Sequence, residues 1–132
     1  MMTTINPDLR YRALWLVVGY LLIALVIYLS LSSSPVTIDT HLPYQDKFFH
    51  FIAYFCLTFW FMQIYHIRHH VILWGIFLFC LGVLLEYLQG FDANRYSEAA
   101  DIIANTLGVI GGIGLSMTPL RFTLLKLERY LS

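Results

Sequence analysis

The chain has 132 residues, with eight basic and eight acidic side chains and a formal charge of zero; 59% of it is apolar, 17% aromatic and only 12% charged. That is too little polar surface to coat a water-soluble domain, and a balanced charge supplies neither a basic field for nucleic acid nor an acidic tail for a basic partner. The expected solvent is lipid, and the expected fold is all-α: a polytopic membrane protein with four transmembrane helices and a short C-terminal interfacial helix, forming one domain over 1–132.

A bilayer core of about 30 Å needs about 20 apolar residues in a helix, and four windows of roughly that length occur. The first, 13–31, follows Arg10 and Arg12. Its flanks imitate a secretion signal, but Ala13 to Leu31 is longer than a usual signal core and no clear small-residue cleavage site follows, so a retained helix is expected. Ser32, Ser33, Ser34 and Pro35, and later Pro43, break helical continuity before the second window, 48–65. Only Tyr65 to Val71 separates it from the third, 71–88, which predicts a tight antiparallel hairpin with helices two and three as neighbours. Cys56 and Cys80 lie in the middle of these apolar runs and read as small packing residues, not as a disulfide framework.

Gly90 and Asn94 interrupt the chain before the fourth window, 99–117, and Pro119 ends it. The tail, 120–131, places Leu120, Leu124, Leu127 and Leu131 on one helical face with Arg121, Lys126 and Arg129 elsewhere, the pattern of a helix lying along the membrane surface. Orientation follows from the flanking bases. Arg10, Arg12, Arg68, Arg121, Lys126 and Arg129 share one side and only Lys47 and Arg95 the other, so both termini are expected in the cytoplasm. Asp39, Asp46, Asp92, Glu98 and Asp101 gather on the opposite, outer side, with Glu86 close to it.

The outer ends of helices two, three and four carry the unusual polar residues. Glu86 falls about one turn inside the end of helix three, where an ionisable side chain is costly unless it meets a partner or water, and Gln89 follows on the same face. Helix two carries Asp46, His50 and Tyr54 at four-residue spacing, and helix four runs from Arg95 through Asp101 and Asn105 to Gly108 and Gly112. Ala104, Gly108 and Gly112 form a small-residue stripe suited to close helix packing, for which Gly75 and Gly82 of helix three are the expected complement.

The same residues resemble a known family. Asp46, Lys47, His50 and Tyr54 entering one helix, Glu86 and Gln89 leaving the next, then Arg95, Asp101, Asn105, Gly108 and Gly112, are similar to the pattern of VanZ-like proteins over roughly 46–112. The resemblance implies a bacterial cytoplasmic membrane protein, and the family is named for a member that gives low-level resistance to teicoplanin and related lipoglycopeptides. It implies no assigned reaction, and the chain has no Gly-rich phosphate loop with a Lys-Ser or Lys-Thr pair.

For His50, Glu86 and Asp101 two roles stand: holding or transferring protons, or satisfying one another and the cations Lys47 and Arg95 in a structural network. Lys47 and Arg95 suit an anionic group at headgroup level, with Asp46, Tyr54, Gln89 and Asn105 as further ligand-binding candidates. Mixed nitrogen and oxygen donors at Asp46, His50, Glu86 and Asp101 are compatible with a metal, but no tight ligand spacing supports one, and no metal or cofactor is expected. His66, His69 and His70 are read as interfacial, as are the aromatic residues Tyr11, Trp15, Tyr44, Tyr65, Trp74 and Tyr96. The expected function is binding or modifying a membrane lipid or lipid-linked envelope component. The alternative is a non-catalytic scaffold acting through a protein partner. Proton-coupled transport is disfavoured because the inner halves of the helices offer no polar path.

Overall fold

The computed structural model describes residues 7–31, 45–65, 67–91 and 99–131, with the side chains of residues 45 and 46 outside that description. Arg95, Tyr44, His66 and Tyr96, and the side chain of Asp46, therefore lie outside the described residues. Four helices are long and apolar enough to cross a membrane: α1 (Arg12–Leu31), α2 (Gln45–Ile64), α3 (Arg68–Gln89) and α4 (Ala99–Ser116). A 3₁₀ turn (Pro119–Phe122) and a short helix, α5 (Thr123–Leu131), complete the chain, and the described residues contain no strand.

Each boundary has a local cause. The second helix starts three residues before the apolar window, because Asp46 suits a first turn and Gln45 and Lys47 are good helix formers, for which hydropathy gives no signal. Likewise α3 begins at Arg68, so Arg68, His69 and His70 belong to the helix and the α2–α3 connection shrinks to a few residues. Thr118 ends the α4 segment by accepting a hydrogen bond from the Leu120 amide, and Pro119 follows where its missing N–H costs nothing.

The chain alternates direction, so that the start of α1, the end of α2, the start of α3, the end of α4 and all of α5 gather at one end of the bundle. We call this the terminal end and the opposite one the far end. The central seam joins α2 to α4. In the small-residue stripe Gly108 and Gly112 face α2 and not α3: a Cβ at Gly108 would meet the Phe51 carbonyl oxygen and stand 3.0 Å from the Phe55 amide nitrogen, and one at Gly112 would stand 2.6 Å from Thr58 Cβ. The small residues thus let two backbones touch, and dispersion across that seam replaces the hydrophobic driving force that lipid removes. Gly75 and Gly82 do face α4, but against Ile113, Val109 and Asn105.

Beside the seam an aromatic cluster fills the terminal half. Phe61 is fully buried and stacks on Trp74 at 4.0 Å between ring centroids, with Tyr65 and Tyr20 around them. Trp74, half-buried, therefore packs against the core as well. Cys56 and Cys80 also depart from expectation, since both thiols are exposed on helix faces turned away from the bundle and fill no core space.

The tail is turned differently from its leucine pattern. Leu124, Leu125 and Glu128 are buried, whereas Leu120, Leu127 and Leu131 are exposed. The reason is polar. Gln63 Oε1 accepts the Leu124 amide hydrogen at 2.8 Å, and Glu128 accepts three hydrogen bonds at the start of α1, so the Glu128 face is the one drawn inward.

Candidate functional site

The far end of the α2–α4 seam holds the polar residues singled out from the sequence. Lys47, in the first turn of α2, places its Nζ 3.3 Å from Asp101 Oδ1, in the first turn of α4. One turn deeper, His50 Nδ1 and Asn105 Oδ1 are 3.1 Å apart. With the amide oxygen accepting, Nδ1 is the donor of this contact. One turn deeper again, Tyr54 is buried beside Gly82, which also touches Asn105. The four-residue spacing of Lys47-Phe51 and His50-Tyr54 on α2 matches that of Asp101-Asn105 on α4 because parallel helices at glycine-limited distance stay in register over several turns.

Helix α3 contributes from the third side. Glu86 is 1% exposed and near enough to Tyr54 to interact with it electrostatically. Gln89 is 3% exposed and donates its Nε2 hydrogen to the Ser30 carbonyl oxygen of α1 at 2.9 Å. Lys47, His50, Tyr54, Glu86, Asp101 and Asn105 are thus brought to one region, whereas Gln89 reaches past it to α1. Among the described residues no group of three metal-ligating side chains is close enough to hold an ion. The carboxyls of Glu86 and Asp101 stand on different helices, α3 and α4.

Such an arrangement can do two things. Carboxyl, imidazole, phenol and amide groups from three helices provide acceptors and donors through which a proton can pass, and low surrounding polarity strengthens each contact. The ammonium of Lys47 provides a positive charge for an anionic group. His69 and His70 lie at the terminal end, ring to ring with each other and, through His70, with Tyr65, far from this cluster.

Sequence reasoning missed the polar groups that hold the helices in place. Glu128 accepts from the backbone amides of Arg10 and Tyr11 at 2.7 and 2.8 Å and from Trp15 Nε1 at 2.6 Å, capping α1 with a side chain from the other end of the chain. Burial acts to raise the Glu128 carboxyl, but these three donors and the Arg10 charge outweigh it and hold the group below its ordinary value. Trp60 Nε1 donates to the Trp15 carbonyl oxygen at 3.0 Å nearby. A signal for Glu128 was present: it is the one acid in a basic tail, four residues after Leu124 on the same face. No family model matches the chain, and no curated protein or solved structure is similar to it at a significant level.

Proposed function

We propose that this is a VanZ-like protein of a bacterial cytoplasmic membrane, with both termini cytoplasmic, whose polar cluster at the outer face binds or modifies a lipid or lipid-linked envelope component. Lys47 and Arg95 take the anionic group, and His50, Glu86 and Asp101 hold or transfer protons. The observation that carries the reading is the convergence of Lys47, His50, Tyr54, Glu86, Asp101 and Asn105 from three helices at the far end of the bundle. A bundle held together by packing alone has no need of an ionisable side chain as buried as Glu86. The bases at the terminal end, Arg10, Arg12, Arg68, Arg121, Lys126 and Arg129, support the orientation. A role in lipoglycopeptide tolerance follows from the family resemblance alone.

The test is native mass spectrometry of the protein in lipid nanodiscs, comparing wild type with Glu86→Gln and Lys47→Ala. A defined lipid or lipid-linked species retained by wild type and lost from both folded variants is the expected result. No selective adduct on wild type overturns the proposal. A second reading is favoured by one observation, the pairing of Lys47 with Asp101 and His50 with Asn105. In that reading the cluster is a satisfied network that sets helix register in a scaffold acting through a protein partner.

A further inference from the structure

Helices α3 and α4 leave an open groove of about 260 Å³ between them, in the half of the bundle nearer the terminal end. Ile72 and Ile76 of α3 form one wall and Ile110 and Ile113 of α4 the other, over a buried floor of Gly75 and Val109. Ile72, Ile76 and Ile110 are each more than half exposed, so the groove opens sideways, toward the surrounding lipid. Its polar lining residue, Thr106, already donates its hydroxyl hydrogen to the Ile102 carbonyl at 2.7 Å. An ordered water needs two or more polar partners, which this lining does not provide, and a void in a bilayer forfeits dispersion on every side, so the groove holds hydrocarbon.

What occupies it is decided by the residue at its mouth. Arg68, Ile72 and Ile76 follow one another at four-residue spacing on α3, so the wall of the groove continues for one more turn and ends in a guanidinium. Arg68 is the first residue of α3, is exposed and forms no ion pair with an acid among the described residues. A side chain there leans toward the start of its helix, which carries the charge up to headgroup level while its stem stays over Ile72. A second copy of the chain fits this charge badly. Two copies in one bilayer are related by an axis along its normal, so a two-fold contact across the groove brings a second Arg68 opposite the first at the same depth. A phosphate at that level is instead opposite in sign and matched to the guanidinium in shape.

We propose that the α3–α4 groove is a binding site for an anionic phospholipid of the leaflet at the terminal end, with one acyl chain lying between Ile72, Ile76, Ile110 and Ile113 and the phosphate on Arg68. The site uses none of the far-end polar residues, and its ligand belongs to the opposite leaflet from theirs.

The experiment uses the full chain in phosphatidylcholine nanodiscs holding a trace of phosphatidylglycerol with a photoreactive diazirine midway along one chain. After irradiation, peptide mapping by mass spectrometry should find the label concentrated on segments 72–79 and 106–113, well above the exposed face of α1 at Leu21 and Leu25. Unlabelled phosphatidylglycerol should compete it away and phosphatidylethanolamine should not. Arg68→Gln should lower groove labelling by about five- to ten-fold, the worth of one cation at a lipid surface, while Arg68→Lys keeps most of it. Ile76→Trp fills the groove and should abolish labelling there, whereas Leu73→Trp, exposed but outside the groove, should not. Every substitution is at an exposed position, so each variant is expected to fold, and reading the label at the groove peptides counts lipid held at the far end separately. Label spread evenly over the exposed faces, equal labelling by a phosphatidylcholine probe, or labelling undiminished in Arg68→Gln would each overturn the site. An unlabelled groove on a protein that native mass spectrometry finds dimeric assigns the groove to a second copy and overturns it as well.

Discussion

Gly108→Ala should damage the polar cluster without altering a polar atom. The added Cβ meets the Phe51 carbonyl oxygen and the Phe55 amide nitrogen, the second at 3.0 Å, a distance that real Cβ atoms rarely show. Both are backbone atoms of α2, so no rotamer change relieves the clash and the two helices must separate by roughly an ångström. The Lys47–Asp101 and His50–Asn105 pairs span the same seam at 3.3 and 3.1 Å. A retreat of that size takes both to about 4 Å, where a hydrogen bond no longer exists and an ion pair is at its limit. Overpacking costs about 1–3 kcal/mol, and a weakened half-buried pair adds to it, so a loss of about 3 kcal/mol is expected. Equilibrium unfolding by dodecyl sulfate in mixed micelles, followed by tryptophan fluorescence, measures it. Gly114→Ala is the control, since nothing lies within 4 Å of a Cβ there and the change should be neutral or stabilise by up to about 1 kcal/mol. Equal stability of the two variants would refute the glycine-limited seam as the support of the cluster.

Two further outcomes follow from the polar contacts. Lys47→Met or Asp101→Leu alone should destabilise by about 3 kcal/mol, because each leaves one charge in a low-polarity site, and the double variant should recover most of it; a double variant no better than the singles in the same unfolding assay removes the pair as a direct interaction. Glu128 is ordinarily half-protonated at 4.5 and is held below that in the folded protein, so its contribution is complete above that pH and is lost as pH falls through the lower folded value. The stability difference between wild type and Glu128→Gln should therefore be steady from about pH 7 to pH 5 and shrink below about 4.5, and a difference unchanged at pH 3 would mean that the carboxylate is not what holds α1.

Much of the site was legible because it lies on regular helices. The four-residue spacing of His50 and Tyr54, of Asp101 and Asn105, and the three-residue spacing of Glu86 and Gln89 each place side chains on one face whatever the helix packs against. Which face meets which was not legible. The glycines of α4 were expected against those of α3, yet they meet Phe51, Phe55 and Thr58 of α2, since a small residue accommodates any close neighbour and does not specify one. The hydrogen bond from Gln89 to the Ser30 carbonyl was not legible either, because a backbone acceptor leaves no mark in the sequence. Cys56 and Cys80 were expected inside, but in lipid an apolar side chain has no preference for the core over the surface, so hydropathy alone could not decide.

By itself the sequence determined that the chain spans a membrane, where its four helices lie to within about a turn, and which polar residues share a depth. These follow from the length of an apolar run against the thickness of a bilayer and from helical periodicity, both local properties. Only the tertiary structure decided that α2 and α4 form the central seam and that the tail turns Glu128 inward to cap α1. Those outcomes depend on contacts between residues as far apart as Arg10 and Glu128, where geometry in three dimensions, and not spacing along the chain, selects the partner.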